Sequence, residues 1–115
     1  MQYAEIDPDN CDYILLGKKS ELTPGERLFI DVDGEPIVIF NIAGELFAVE
    51  DICSHDNNPI GEGELEKFDV ICPRHGAHFD VRNGKALSLP AVVDILSYPV
   101  RIEGDEIWIG IPYKS

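Results

Sequence analysis

The sequence predicts an all-β protein of small antiparallel sheets, and three observations carry that expectation. Apolar residues come in short runs rich in Val, Ile, Leu, Phe and Tyr, not at the spacing of a helix face. Turn pairs punctuate the runs, above all Asp33-Gly34, Ala43-Gly44 and Asn83-Gly84. No segment combines helical periodicity, caps and length. At 115 residues with 44% hydrophobic side chains, the chain is expected to form one domain, 1–115, with a real core.

In chain order, Tyr13 to Leu16 is the first expected strand, followed by a turn at Thr23-Pro24-Gly25. Arg27 to Val32 and Glu35 to Ile42 form a hairpin around Asp33-Gly34, a pair that accepts positive backbone dihedrals. Ala43-Gly44 turns the chain into Leu46 to Glu50, which leads directly to Cys53. Gly61-Glu62-Gly63 is a bend, and Leu65 to Lys67 and Asp69 to Ile71 are short strands returning the chain to Cys72. Phe79 to Val81 precedes the Asn83-Gly84 turn, and Leu87 to Asp94, which contains Pro90, reads as a loop because proline cannot donate to a ladder. Tyr98 to Ile102 and Ile107 to Ile111 flank the polar turn Glu103-Gly104-Asp105-Glu106, with Pro99 placing the first of them at an edge or marking its start. Trp108 reads as a half-buried aromatic of the last strand.

Charge and composition narrow the function. With 9 Lys and Arg against 22 Asp and Glu, the net charge of −13 argues against binding nucleic acid or an anionic membrane, both of which need a basic face. It suits a soluble carrier that docks briefly on basic patches, in a salt-sensitive way. Met1 to Asn10 is polar and acidic, without the basic start and apolar run of a signal peptide, and no stretch approaches the length of a membrane span. The expected address is the cytoplasm.

The chemistry concentrates between Cys53 and His75. Cys53-Ser54-His55 is followed, after sixteen intervening residues, by Cys72-Pro73-Arg74-His75, so two of three cysteines and two of three histidines form one mixed pair near each end. Soft thiolate paired with imidazole in each half suits a metal centre gripped by two loops. The short strands between the pairs bring the loops side by side. Four such ligands also satisfy a tetrahedral zinc site in an interaction module, and spacing alone leaves that open. The Cys-x-His pair nevertheless differs from the usual zinc spacings. Cys11 is then a lone thiol with no task. His78, three residues past His75, reads as a solvated side chain outside the ligand set.

Cys-x-His followed by Cys-x-x-His is the ligand pattern of Rieske centres, and the chain resembles a Rieske-type ferredoxin. The likeness is strongest in Cys-Pro-Arg-His-Gly-Ala-His-Phe-Asp, from Cys72 to Asp80, and extends more loosely over Tyr13 to Ile111. It implies a Rieske-type fold with a cluster-binding subdomain of two loops, about 51–90. It implies one [2Fe-2S] cluster per chain, with Cys53 and Cys72 on the inner iron and His55 and His75 on the outer, solvent-near iron. The implied function is that of a soluble, monomeric one-electron carrier, not itself an enzyme, passing electrons from a flavin-dependent ferredoxin reductase to the terminal component of a multicomponent oxygenase. The Asp56-Asn57-Asn58-Pro59 and Pro73-Arg74-His75 wording is also similar to stand-alone ferredoxins associated with iron–sulfur assembly.

The departures from the high-potential members of that family are informative. Asn58 and Arg74 occupy the positions of their loop-bridging cysteines, so that disulfide cannot form. Ala77 and Phe79 stand where those members carry a serine and a tyrosine. Hydroxyl donors to sulfur stabilise the reduced, more negative centre, so their loss predicts a midpoint near the bottom of the Rieske range, about −150 mV. The resemblance further implies that the ligand histidines lose protons only at alkaline pH, where the midpoint falls. The segment from Leu87 to Asp94 is expected to shield the site.

Overall fold

The computed structural model describes residues 8–9, 11–53, 58–74, 76–89 and 93–112. Among them the chain runs through β1 (Cys11–Lys18), a 3-10 turn (Lys19–Glu21), β2 (Arg27–Val32), β3 (Glu35–Ile42), β4 (Glu45–Glu50), β5 (Leu65–Glu66), β6 (Asp69–Ile71), β7 (His78–Asp80), β8 (Ser97–Tyr98), β9 (Val100–Glu103) and β10 (Glu106–Pro112). These pair as three antiparallel sheets, ordered β1-β10-β9, β2-β3-β4-β8 and β5-β6-β7. No helix among the described residues is long and apolar enough to cross a membrane.

The four-stranded sheet is the middle layer. Ile37 and Ile39 of β3 and Ala48 of β4 pack with Leu22, Tyr98, Ile107 and Ile109 against the β1-β10-β9 sheet. The alternating residues Val38, Phe40 and Val49 pack on the other side with Cys53, Ile60, Val70, Cys72, Ala77, Phe79, Val81 and Ile95. Burial of both faces explains why β3 reads as the unbroken run Ile37-Val38-Ile39-Phe40, all nearly inaccessible, instead of alternating with polar residues. Each such side chain contributes about 1.5–3 kcal/mol of transfer free energy.

The hairpin predicted from Asp33-Gly34 forms with the expected limits, and both turn residues have positive φ, 53° and 85°. The turn at Ala43-Gly44 repeats the arrangement. β1 is longer than expected because its ladder continues along β10 through a bulge between Leu15 and Gly17. Lys67 leaves the expected strand for a turn, at φ 58°. The run expected from Tyr98 to Ile102 is divided at Pro99: Ser97–Tyr98 pairs with β4, whereas Val100–Glu103 pairs with β10. Proline has no N–H for either ladder, and its carbonyl accepts from Gly110 N–H at 2.8 Å, so the chain changes sheets there and lies at the edge of both.

Glu50 fastens the other end of this crossover. Its N–H donates to the Leu96 carbonyl at 2.9 Å, and its Oε1 accepts from Leu96 N–H at 3.0 Å. Burial pushes the Glu50 carboxyl up, against the opposing hydrogen bond from Leu96, and the neighbouring Glu35 charge adds to the rise. A carboxyl raised in the folded state holds its proton more tightly when folded, so stability declines as pH rises from the ordinary carboxylate range through the folded value. Glu50→Gln keeps an acceptor for Leu96 and is expected to remove this decline. Its melting temperature should gain on the parent's between about pH 4 and about pH 7; a constant difference across that span contradicts the assignment.

Candidate metal centre

The two candidate sulfur ligands follow strands of different sheets. Cys53 lies three residues past the end of β4, and Cys72 directly follows β6. Both are thiols with side chains at 0% and 1% exposure, and both belong to one apolar cluster. Their loops close in the same way: Cys53 N–H donates to the Asn58 carbonyl at 2.7 Å, and Cys72 N–H to the Ala77 carbonyl at 2.8 Å, each five residues ahead. The second loop is tightened by Gly76 N–H to the Cys72 carbonyl at 2.9 Å, with Gly76 at φ 74°, a conformation glycine takes without strain.

The other two candidate ligands, His55 and His75, lie outside the described residues, as does Pro90 of the expected shielding segment. Among the described residues no group of three His, Cys, Asp or Glu is placed to hold a metal. The donor chemistry that is described fits half of a mixed-ligand iron–sulfur site. Two buried sulfurs in a dry apolar cluster are poor solvent-facing nucleophiles but good thiolate ligands once a cation compensates their charge.

Ala77 and Phe79 are fully buried in the same cluster as Cys53 and Cys72. The side chains that lack a hydroxyl are thus in the same core as the two sulfurs. His78 corrects an expectation: it is half-buried rather than solvated. Its Nδ1 lies 3.3 Å from Asp69 Oδ2, its N–H donates to Ser88 Oγ at 3.0 Å, and its carbonyl accepts from Leu87 N–H at 2.8 Å. The strand position forces this, because β7 lies beside β6 and His78 stands opposite Ile71, two residues from Asp69. The same bonds moor Leu87 and Ser88 to the second loop, while Leu89 beyond them is 77% exposed.

Three further contributors have no role in the sequence reading. Asp51, nearly buried, accepts through Oδ1 from Ile60 N–H at 2.9 Å and Gly61 N–H at 2.6 Å. Arg27 of β2 donates from one guanidinium nitrogen to the carbonyls of Gly61 and Gly63. Asp80, 6% exposed, is gripped by Arg82 through Nε at 3.0 Å and Nη2 at 2.8 Å. Burial alone would raise the Asp80 carboxyl, but the Arg82 hydrogen bonds and charge hold it below the ordinary range. The only advance signal was a charged residue set within or beside an apolar run, which does not say what it bonds.

Comparison with known proteins agrees with this geometry. Residues 12–99 match the family model of the Rieske [2Fe-2S] domain. The chain is 43% identical over 91 residues to the ferredoxin component of biphenyl 2,3-dioxygenase from Rhodococcus jostii (strain RHA1), covering 79% of this chain and 85% of that one. Its fold is similar to the ferredoxin of carbazole 1,9a-dioxygenase from Nocardioides aromaticivorans IC177, with a TM-score of 0.80, 28% identity, and 88% and 98% of the two chains covered. A second similar structure is a chain from a complex of reduced oxygenase and oxidised ferredoxin in carbazole 1,9a-dioxygenase, with a TM-score of 0.82, 25% identity, and 92% and 99% covered.

The buried Ala77 methyl yields a quantitative expectation. A hydroxyl there that strengthens its bond to sulfur by about 1 kcal/mol on reduction raises a one-electron midpoint by about 40 mV. Ala77→Ser should therefore titrate higher than the parent in a spectroelectrochemical cell; an unchanged midpoint shows that the absent donor does not set the potential.

Proposed function

The chain belongs to the Rieske [2Fe-2S] domain family, and from that premise we propose that it is a soluble one-electron carrier feeding the terminal component of a multicomponent oxygenase. Its electrons would come from a flavin-dependent ferredoxin reductase, and it would act as a monomer in the cytoplasm. We assign the whole chain to one domain, with the cluster-binding part at about 51–90. The four ligands are Cys53 and Cys72 on one iron and His55 and His75 on the other. The observation that carries the proposal is the pair of inaccessible sulfurs brought into one core from separate sheets.

When bound, a [2Fe-2S] cluster supplies reversible storage of a single electron. The residues of this chain do the rest. Cys53 and Cys72 provide anionic donors at the buried end, which supports their assignment to the inner iron. Ile60, Val81 and Phe79 exclude water from them. The backbone bonds joining His78 with Leu87, which donates to it, and with Ser88, which accepts from it, hold an apolar rim next to the second loop, where Leu87 and Leu89 are exposed. Exposed apolar side chains at a rim, on a chain of net charge −13, suit a contact that forms fast by charge and separates readily. The named partners of similar ferredoxins, a biphenyl dioxygenase and a carbazole dioxygenase oxygenase, favour this reading over a role in iron–sulfur assembly.

Two measurements test the proposal. Anaerobically purified protein should be brown, carry two irons and two sulfides per chain, and give a paramagnetic signal after dithionite; one zinc per colourless chain establishes the interaction module instead. Leu89→Asp should leave the midpoint unchanged but lower electron transfer to an aromatic-ring dioxygenase oxygenase several-fold at limiting carrier. Equal transfer by the variant removes this rim from the docking surface.

A further inference from the structure

Resting on the carrier reading above, we propose that Arg27 is a positioning residue of the metal centre, setting the distance between its two cysteine loops by clamping the chain that joins them. The need for such a clamp follows from topology. Cys53 leaves the β2-β3-β4-β8 sheet and Cys72 leaves the β5-β6-β7 sheet, and among the described residues no strand pairing joins those sheets. A centre with ligands from both requires a fixed separation, because a misplacement of about 1 Å changes metal–ligand bonding outright.

Arg27 lies on β2, opposite Phe40 in the ladder, and its guanidinium sits 5.0 Å from the Phe40 ring centroid. From there it reaches across to the interloop bend, donating to the Gly61 carbonyl and, at 2.7 Å, to the Gly63 carbonyl. Both acceptors are tightly seated. A Cβ at Gly61 would collide with the Phe29 ring, and one at Gly63 with the Ile71 carbonyl, immediately before Cys72. Gly63 N–H donates to the Ile60 carbonyl at 2.8 Å, and Ile60 packs in the cluster containing both cysteines. Asp51, two residues before Cys53, holds the start of the same bend through Ile60 and Gly61. Arg27 thus grips one short segment whose beginning is tied to the first loop and whose end rests against the second. One cationic nitrogen binding two carbonyls is a charge-assisted contact, stronger than a neutral bond and costly to leave half-made.

The test uses the purified holoprotein. Arg27→Met keeps apolar bulk over Phe40 and removes both donations, Arg27→Lys retains a cationic donor with a different reach, and Ile109→Val trims the distant core as a stability reference. The rate at which excess EDTA bleaches the visible absorption, and the paramagnetic spectrum after dithionite, are read for each. Arg27→Met should bleach at least tenfold faster than Ile109→Val and show shifted or broadened g-values, with Arg27→Lys between it and the parent. Bleaching no faster than the reference, with an unaltered spectrum, overturns the inference. If Arg27→Met does not fold, Arg27→Lys decides: parental bleaching and parental g-values refute the clamp. A parent without any dithionite-dependent signal refutes the carrier reading itself, so the two failures are distinguishable.

Discussion

The structure depends on bringing two sulfurs into one apolar core from two sheets that, among the described residues, share no strand pairing. As thiols, Cys53 and Cys72 fit that core like small apolar side chains, whereas a thiolate in the same surroundings needs a compensating cation. Each loop meets this with the same device, a cysteine N–H bonded to the carbonyl five residues ahead. The apolar cluster then serves the centre as much as it serves folding, since the residues that exclude water from the sulfurs also join the middle sheet to the small one.

A middle sheet with two buried faces follows from that demand. One face carries Ile37, Ile39 and Ala48 against the terminal sheet, and the other carries Val38, Phe40 and Val49 towards the cysteines. A shift of one residue in the β3 register would exchange the two sets, and the cysteine face would meet the wrong core. The tight turns at Asp33-Gly34 and Ala43-Gly44 fix that register from both ends of β3. The face that β3 and β4 present to the first cysteine loop is therefore set by two turns upstream of it.

Most of this architecture was legible in the amino-acid order. Hairpin limits followed from Asp-Gly and Ala-Gly pairs because positive φ admits few residues, and the loop cysteines stood out because the chain has so few of them. The division at Pro99 was half legible: proline announced an edge, but the transfer to another sheet is a tertiary outcome. His78 was misjudged because its partner, Asp69, lies across a strand pair that sequence spacing does not reveal. Arg27 was invisible for the same reason, since its acceptors are backbone carbonyls 34 and 36 positions away and carbonyls have no residue identity.

The electrostatics of the chain point in one direction. Reduction adds negative charge, and the protein opposes it twice: locally by offering no hydroxyl at Ala77 and Phe79, and globally by its thirteen excess acids. The local effect acts inside a water-excluded cluster and is little screened. The global effect comes largely through solvent and fades over a Debye length of about 8 Å in physiological salt. Short-range donors are therefore expected to weigh more on the potential than surface charge does, which leaves the acidic surface to be shaped by solubility and partner approach. On this account the expected low potential and the strongly charged exterior have separate origins, divided by depth.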